Sequence, residues 1–451
     1  MVQIKTLSPV DQSVVVERTE ATDAEINTIF ANATKSFPRY AKLPLSERIQ
    51  IATRFLDLVA DKSDELSEEI TRQMGRPIRY SSIEIKTAIM RGKYMVGIAE
   101  EQLADVQADN SDPKIRKFLR KVPKGPVFVI GAWNYPWLIT INAVLPALIA
   151  GNTVVLKPSP QTPLVAERFV ELYSAAGLPE HVLQCIHVGS PDIVSKICQR
   201  PELKHISFTG SVAGGRAVDR ASALAERDGF ISVGLELGGK DPAYVRADID
   251  PKVAAVELVD GAMFNSGQSC CAVERIYVDA SIHDAFVEAF VAEAKALVLG
   301  DPNDPATTLG PVVSLRSAEA IRAQVSEAVS QGAKAHIDSS HFKASKEGSC
   351  FVAPQVLTNV NHSMKCMIEE TFGPTVAIQK VSSDEEAIRL MNDSQFGLTA
   401  SIWTSDKDGQ AEPLLRQVEA GTVFMNRCDY PDPSLAWTGC KQSGRGITLS
   451  Q

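Results

Sequence analysis

The spacing of apolar positions changes at about residue 126, and it predicts different structure on either side. Before that point apolar residues recur at the spacing of one helix face, so we expect the first hundred residues to be helical. Asp23 is available to cap the first helix, and Gly75-Arg76-Pro77 is a signal that ends the third. The predicted helices cover residues 24–37, 45–61, 64–74 and 82–102.

After residue 126 short apolar runs alternate with helical segments. Predicted strands lie at residues 127–130, 153–156, 182–188, 205–208 and 231–233. A second alternation starts near Ala243, with its predicted elements at residues 254–265, 275–278, 282–299, 317–331 and 421–425. Repeated strand–helix–strand units predict parallel sheets, the first of the dinucleotide-binding type. The expected fold class is therefore α/β, with two α/β domains.

Composition and charge narrow the class of protein. A chain of 451 residues exceeds what one core usually supports, and 44% hydrophobic and 22% charged residues are ordinary for a globular protein. The net charge of −9 argues against nucleic acid or an anionic membrane as a partner. Basic residues between 114 and 121 are interrupted by apolar ones, which favours an exposed strand or hairpin face. The most apolar stretch, residues 138–156, contains Pro146 and Gly151 and predicts buried elements and no membrane span.

The cysteines indicate the redox compartment. The eight cysteines include no CxxC pair, so they predict neither a disulfide framework nor a zinc site. They fit free thiols in a reducing compartment. Neither an apolar secretory segment nor an Arg-rich presequence opens the chain. We therefore expect a cytoplasmic protein without a metal.

Cys270 is the first candidate for chemistry, because it follows the small polar segment Gly267-Gln268-Ser269 after a predicted helix. Thiolate is the reactive form of cysteine, and an unperturbed thiol has a pKa of about 8.5, so a catalytic cysteine needs surroundings that favour the anion. The alternative is a buried, inert cysteine. The adjacent Cys271 competes for the same role.

Glu236 is a candidate base, because it lies at the end of an apolar strand just before Gly238-Gly239. Ligands of parallel sheets bind where the strands end, and a partly desolvated carboxylate there can activate water. The alternative role is that of a salt-bridge partner.

Two further segments follow predicted strands. Asn134 lies just before Tyr135-Pro136, where its carboxamide could donate to an oxyanion, although such a residue also caps turns. Gly210 and Ser211 open a predicted helix, and the N–H groups of a helix N-terminus bind phosphate. Their spacing differs from G-x-G-x-x-G, so the generic motif is weak, and the nearby Gly214-Gly215 pair could provide flexibility alone.

Taken together, these segments resemble the NAD(P)-dependent aldehyde dehydrogenases of the non-acylating type, in which a cysteine and a glutamate form the catalytic pair. The segment from Asn265 to Cys270 has the family pattern Asn-x-Gly-Gln-x-Cys, and six motifs occur in the family's order over nearly the whole chain. The resemblance implies an NAD(P)-binding domain of residues 1–104 and 124–238 and a catalytic domain of residues 239–439. It also implies a small oligomerisation hairpin of residues 105–123 with residues 440–451.

The resemblance implies oxidation of an aldehyde to the carboxylic acid. Cys270 would form a thiohemiacetal and then a thioester, Asn134 would stabilise the oxyanion, and Glu236 would activate the hydrolytic water. The alternatives are a dehydrogenase specific for a semialdehyde, or a catalytically silent relative that binds cofactor or has a structural role.

The resemblance also assigns the cofactor site. Lys157 would bond the adenine ribose, Gly210 and Ser211 would approach the pyrophosphate, and Glu370 would bond the nicotinamide ribose. Phe372 would pack beside that ribose, and Trp133 belongs to the same set. Many NAD-preferring members carry Glu at the position of Pro160. We therefore expect NAD as cofactor, with NADP possible.

By family position the substrate pocket combines aromatic, polar and thiol side chains. Its expected residues are Tyr135, Leu138, Asn142, Ser269, Cys271, Arg427, Cys428 and Trp437. Arg427 could recognise a carboxylate and so indicate a semialdehyde, although an arginine near a strand end is more often part of a structural pair. Members of the family usually continue beyond Gly444-Arg445-Gly446 into a strand that assembles dimers or tetramers, whereas this sequence ends at Gln451. We expect a homodimer or homotetramer, weakened if that strand is absent.

Overall fold

A computed structural model describes residues 2–108, 114–227, 229–406, 409 and 411–450. The helices are α1 (Asp23–Tyr40), α2 (Leu45–Asp61), α3 (Ser63–Met74), α4 (Ile78–Gln102), α5 (Pro136–Ile149), α6 (Leu164–Ala175), α7 (Pro191–Cys198), α8 (Val212–Ala223), α9 (Pro251–Met263), α10 (His283–Ala296), α11 (Leu315–Ser330), α12 (Lys365–Ile368), α13 (Asp384–Asn392) and α14 (Glu412–Leu415). The strands are β1 (Gln3–Leu7), β2 (Val14–Thr19), β3 (Val106–Gln107), β4 (Phe118–Leu119), β5 (Pro126–Ile130), β6 (Thr153–Lys157), β7 (Leu183–Cys185), β8 (His205–Thr209), β9 (Ser232–Glu236), β10 (Asp241–Val245), β11 (Val273–Asp279), β12 (Lys334–Ala335), β13 (Gln355–Thr358), β14 (Thr375–Val381), β15 (Phe396–Gly397), β16 (Thr399–Trp403), β17 (Thr422–Met425), β18 (Cys440–Lys441) and β19 (Gly444–Arg445).

The four helices predicted before residue 126 are present, with small differences at their ends. Thr22 caps α1 in place of Asp23: its side chain accepts from the Glu25 N–H, and Glu25 accepts from the Thr22 N–H, which is a capping box. Helix α3 ends as predicted at Gly75, whose φ of 80° is left-handed. Helix α4 begins directly after Pro77, four residues earlier than expected, because proline is tolerated at a helix start.

The prediction that the first hundred residues are helical is wrong for residues 3–19. Strands β1 and β2 form an antiparallel hairpin in which Gln3 is opposite Thr19. The β-branched run of β2 favours a strand, and the Thr6 hydroxyl donates to the Pro160 carbonyl at 2.7 Å. The hairpin is thereby attached to the loop that follows β6.

The first parallel sheet is present as predicted, in the order β19-β9-β8-β5-β6-β7. Strands β5 to β9 are parallel, and only β19 is antiparallel to its neighbour. Alternate residues of β5 enter two different hydrophobic clusters, so both faces are buried. The strand order reverses between β5 and β8, and this is where a doubly wound sheet opens a ligand crevice at the carboxyl ends of its strands.

The second sheet has the order β12-β13-β14-β11-β10-β16-β17 and is parallel except for β12. Helices α9 and α10 contribute to the cluster on one face, and α11 and α13 contribute to the cluster on the other. Strands β13, β14 and β16 and helix α13 were not predicted, although this sheet was expected to be α/β. The chain passes from β9 into β10 after Glu236, so the two sheets are joined next to the candidate base.

The hairpin of β3 and β4 agrees with the predicted exposed hairpin face, with Arg120 stacked over the Phe118 ring; residues 109–113 of the expected hairpin lie outside the described residues. The C-terminal segment differs from expectation. Within the described residues, β19 pairs with β9 and β18 pairs with β15, and no ladder joins residues 440–450 to this hairpin. Gly444 permits this, because a Cβ there would lie 1.9 Å from the Leu235 carbonyl oxygen.

Candidate active site

The loop that carries Cys270 is held in an uncommon backbone conformation. Helix α9 is followed by a 3₁₀ turn in which Asn265 and Ser266 have φ values of 53° and 57°, in the left-handed region. Gly267 has a φ of 69°, and a Cβ on it would lie 2.1 Å from the Gly373 carbonyl oxygen. Such strain persists where the surroundings hold it in place. Cys270 is half-buried at the end of this loop.

Side-chain hydrogen bonds hold that loop in place. The Gln268 Oε1 accepts from the Val313 N–H at 2.8 Å, and the Ser266 hydroxyl donates to the Gly310 carbonyl at 2.8 Å. Within the loop, the Asn265 amide donates to the Gln268 carbonyl at 3.1 Å. The nucleophile candidate therefore has a well-defined position.

Asn134, the predicted oxyanion donor, lies beside the same loop. Its Nδ2 donates to the Gln268 carbonyl at 3.3 Å. A carboxamide has two N–H donors, so one remains for a ligand. Arg76 joins the two segments, because its guanidinium donates both to the Asn134 carbonyl and to Asn265 Oδ1.

The role of Arg76 was not predicted from the sequence, in which this residue indicated only part of a helix stop. Arg76 forms a buried ion pair with Glu84 of α4. Glu84 Oε1 also accepts from the Trp137 N–H at 2.8 Å and the Leu138 N–H at 3.2 Å, at the start of α5. Burial raises the pKa of Glu84, and Arg76 and these N–H groups oppose that shift. The pair fixes α5 and the Asn134 turn relative to α4.

Cys270 opens onto a cavity of about 260 Å³. Seven of its lining residues were predicted as catalytic or pocket residues beside Cys270: Asn134, Tyr135, Leu138, Asn142, Ser269, Cys271 and Trp437. Arg427, also predicted for the pocket, is exposed and stacks on the Tyr430 ring at 3.6 Å, and neither Arg427 nor Cys428 is among the lining residues. The lining instead includes Arg91, Asp260 and Asp429, which sequence reasoning did not identify.

Cys271 has a structural environment that differs from that of Cys270. It is buried, and its thiol donates to Asp429 Oδ1 at 2.8 Å. A hydrogen bond with Cys270, together with burial and the nearby Asp429, raises the pKa of Cys271 well above its usual range. Cys271 therefore remains a thiol, which favours Cys270 as the nucleophile.

Glu236 ends β9, opposite Thr209 of β8. Burial raises the pKa of Glu236 to about 8, and a hydrogen bond from Trp437 partly offsets that shift. Because Trp437 also lines the cavity, it connects the Glu236 carboxyl to the chamber that Cys270 faces.

The Gly238-Gly239 segment follows β9, the strand that ends at Glu236, and it contacts both the Cys270 loop and Glu370. A Cβ on Gly239 would lie 2.3 Å from the Cys270 carbonyl oxygen, so only glycine permits this approach. The Gly239 N–H donates to Glu370 Oε1 at 3.0 Å. Burial raises the pKa of Glu370 to about 8, with a further contribution from the charge of Glu274.

A second buried ion pair holds the loop of Glu370 and Phe372. Lys240 Nζ lies 2.5 Å from Glu274 Oε2, and the Glu274 carboxylate also accepts from the Phe372 N–H at 2.9 Å. Phe372, with a φ of 50°, meets the Trp133 ring edge to face at a centroid separation of 5.6 Å. Neither Lys240 nor Glu274 was identified from the sequence.

The remaining cofactor candidates lie at the carboxyl edge of the first sheet. Lys157 is opposite Ile130 in the ladder of β5 and β6, and the Gly210 N–H donates to the Glu236 carbonyl at 3.0 Å. Ser211 caps α8 through the Gly214 N–H. Gly215 has a packing role and not one of flexibility, because a Cβ there would lie 2.5 Å from Leu237.

These residues fit a dinucleotide. Burial lowers the pKa of Lys157 to about 8, and its Nζ donates to the Pro158 carbonyl, which leaves donors for ribose hydroxyls. The free N–H groups at the start of α8 suit a pyrophosphate. In the described part of the chain no helix has the length and apolar character that a membrane crossing requires, and no group of three or more potential ligands could hold a metal ion.

Comparisons with known proteins agree with this site. The sequence profile of the aldehyde dehydrogenase family matches residues 2–451. The chain is 33% identical over 449 residues to an NADP-dependent succinate-semialdehyde dehydrogenase of Mycolicibacterium paratuberculosis, covering 99% of this chain and 93% of that protein. Among solved structures, a succinic semialdehyde dehydrogenase from Streptococcus pyogenes in complex with NADP⁺ has a TM-score of 0.92 at 26% identity, covering 99% of this chain and 96% of that one. A betaine aldehyde dehydrogenase from Staphylococcus aureus in complex with NAD⁺ has a TM-score of 0.93 at 28% identity, covering 100% and 88%.

The parallel-sheet fold and the thiol-bearing cavity beside a dinucleotide crevice define an NAD(P)-dependent oxidoreductase. The chain belongs to the aldehyde dehydrogenase family. The resemblance drawn from its motifs is confirmed, and the family reaction is the oxidation of an aldehyde to the acid with NAD(P)⁺.

Proposed function

We propose that this chain oxidises an aldehyde with Cys270 as nucleophile, Asn134 as oxyanion donor and Glu236 as the base that activates water. The observation that carries this assignment is a single cavity with two of these groups in its lining and the third next to a residue of its wall. Asn134 and Cys270 line the cavity, and Glu236 is connected to it through Trp437. The catalytically silent alternative is disfavoured because all three groups are intact and because buried hydrogen bonds hold Asn134 and the loop that carries Cys270.

In the first half of the reaction the Cys270 thiolate adds to the carbonyl carbon of the aldehyde. The C–S bond forms as the carbonyl π pair moves to oxygen, and the oxyanion accepts from Asn134 Nδ2 and the Cys270 N–H. One such donor typically contributes about 10²–10³ in rate. As the oxyanion re-forms the C=O bond, the thiohemiacetal carbon releases a hydride and becomes the thioester carbonyl; a bound NAD(P)⁺ would supply the hydride acceptor.

In the second half Glu236 takes a proton from water as the water oxygen adds to the thioester carbonyl. Collapse of this adduct breaks the C–S bond, releases the carboxylic acid and returns the Cys270 thiolate. The carboxyl must be ionised to act as a base. Because its pKa is raised to about 8, only the minor ionised fraction acts as a base at neutral pH, and that fraction is a stronger base than an ordinary carboxylate.

The cofactor is held, in this proposal, by Lys157 at the adenine ribose, Gly210 and Ser211 at the pyrophosphate, and Glu370 and Phe372 at the nicotinamide ribose, with Trp133 beside Phe372. At Pro160 there is no carboxylate to repel a 2′-phosphate. We therefore propose that both NAD⁺ and NADP⁺ are used. The relatives with semialdehyde substrates and NADP⁺ support the same choice.

The proposed domains, assembly and location follow from the motifs of the sequence. We propose that residues 1–104 and 124–238 form the cofactor domain and residues 239–439 the catalytic domain. The hairpin of residues 105–123 assembles a homodimer or homotetramer. A cytoplasmic location is supported by the eight cysteines, all of which are free thiols.

The test is a rapid-mixing measurement of reduced nicotinamide with a panel of aldehydes and both cofactors. The native chain should turn over, whereas Glu236→Gln should form about one equivalent of reduced cofactor per site in a burst and accumulate a covalent acyl-enzyme. Cys270→Ala should give neither a burst nor a covalent adduct.

Cys271→Ala is the matched control, since it removes the neighbouring thiol and should retain the burst. A burst in Cys270→Ala, or its loss in Cys271→Ala alone, would assign the nucleophile to Cys271. Steady turnover by Glu236→Gln at the native rate would show that another group activates water.

A further inference from the structure

Arg91 is a buried cation in the wall of the Cys270 cavity. It lies on α4, its residue surface is only 5% exposed, and it lines the same chamber as Cys270, Tyr135 and Leu138. Its Nη2 makes one long hydrogen bond of 3.4 Å to the Pro431 carbonyl, and its Nε is buried without a partner. A buried donor without a partner is destabilising, and more so when it belongs to a charged group.

The charge of Arg91 is not balanced by a direct ion pair. Arg76, which lies just before the start of α4, forms an ion pair with Glu84. Within the described ranges no ion pair includes Arg91. Desolvation accordingly lowers the pKa of Arg91, opposed by the nearby Cys271, Tyr430 and Glu84. Arg91 therefore lines the cavity with a guanidinium whose donor capacity is not fully used within the described residues.

Three carboxyl groups also line the cavity, and none of them forms an ion pair with Arg91 in the described ranges. Glu84 is the ion-pair partner of Arg76, and the other two are Asp429 and Asp260. Asp429 accepts from Ser269 and Cys271, and burial raises its pKa to about 7. Burial likewise raises the pKa of Asp260, with a contribution from Glu257. A guanidinium, in contrast, stays charged at every accessible pH. The permanent charge in this wall is positive.

We propose that Arg91 binds the carboxylate of a substrate whose aldehyde group is attacked by Cys270, so that the substrate class is the short semialdehydes of dicarboxylic acids. The guanidinium fork matches a carboxylate in shape, and Leu138 and Tyr430 supply an apolar wall for the intervening carbon chain. This assignment rests on the proposed aldehyde oxidation, and it moves the carboxylate role from the exposed Arg427 to Arg91.

The test compares kcat/KM for succinic semialdehyde, pentanal and betaine aldehyde, which carry negative, zero and positive charge. The native chain should prefer the semialdehyde. Arg91→Gln should lose on the order of 100-fold in kcat/KM for the semialdehyde and only a few-fold for pentanal, because only the anion uses the guanidinium. Arg91→Lys should recover part of that loss. Arg427→Gln is the matched control and should leave the ratio of the two substrates unchanged.

If Arg91→Gln lost equal factors in kcat/KM for the semialdehyde and pentanal, Arg91 would have a structural role only. If the native chain preferred betaine aldehyde, the cavity would be one that binds cations. Either result overturns the proposal while leaving aldehyde oxidation intact. A binding readout separates the two hypotheses: succinate should protect Cys270 from alkylation by iodoacetamide in the native chain, and not in Arg91→Gln. Failure of the native chain to oxidise any aldehyde refutes the proposed function, whereas failure of succinate to protect the native chain refutes the role of Arg91.

Discussion

Burial and one hydrogen bond have opposite effects on the pKa of the Glu236 carboxyl. Burial raises its pKa to about 8, and the Trp437 hydrogen bond lowers it. Below this pKa the carboxyl is mostly protonated and cannot accept a proton from water. We predict that hydrolysis of the acyl-enzyme accelerates about tenfold per pH unit up to about pH 8 and then levels off. Single-turnover measurements of thioester decay at a series of pH values would show this profile.

Trp437→Phe should move the midpoint of that profile to higher pH, because it removes the donor that favours the ionised carboxylate. Trp403→Phe is a matched control, since the Trp403 indole donates to Ser401 within the other sheet. A midpoint that stays constant in Trp437→Phe would show that this hydrogen bond does not control the base.

Close backbone approaches connect the elements around the nucleophile. Gly239, between β9 and β10, leaves no room for a Cβ because of the Cys270 carbonyl. We predict that Gly239→Ala displaces the Cys270 loop and lowers the rate of the burst on the order of 100-fold, as expected for a misplacement of about 1 Å. Stopped-flow measurement of the burst checks this.

Gly97→Ala is the control for that substitution. Gly97 lies within α4, and a Cβ added to it would meet no atom within 4 Å, so alanine should leave the burst unchanged and stabilise the helix by up to about 1 kcal/mol. Denaturant unfolding would measure that gain. A native burst rate in Gly239→Ala would show that the loop adjusts without cost to catalysis.

The two buried ion pairs also fix the positions of helices and loops around the site. Arg76 and Glu84 orient the start of α5 and the Asn134 turn, and Lys240 and Glu274 orient the Phe372 loop. Each pair also satisfies backbone N–H or C=O groups, so its charges are compensated inside the protein. The pairs therefore position segments that carry catalytic and cofactor groups, rather than contacting the reacting atoms.

At the scale of the whole molecule, the hairpin of β3 and β4 leaves apolar side chains exposed. Val106, Leu119 and Val122 are 47%, 69% and 68% exposed, and an isolated two-stranded hairpin is marginally stable in water. We predict that these residues are covered in an oligomer and that Leu119→Asp lowers the molar mass measured by light scattering. Leu224→Asp, at an equally exposed position after α8, should leave the mass unchanged. A monomeric native chain would contradict the assembly role of this hairpin.

The local pattern of apolar and polar residues was sufficient to predict many of the helices and strands. The β-branched cores of β5 and β6 and the apolar stripes of α1 to α4 predicted these elements, and the motifs around Cys270, Glu236 and Asn134 led to the family. The N-terminal hairpin was missed, because its short strands are stabilised partly by a contact with Pro160 that lies far along the chain. The order of strands in the second sheet depends on similar long-range contacts.

The family, its reaction class and the candidate nucleophile follow from residues that are adjacent in sequence, because each motif is a short loop whose chemistry is local. The charge of the substrate cavity does not follow from residues that are adjacent in sequence. Arg427 is exposed while Arg91 is buried beside Cys270, and this difference arises where α4, α5 and the segment around Asp429 pack together. Only tertiary packing decides which of two arginines faces a cavity, because the wall is assembled from segments that no local pattern brings together.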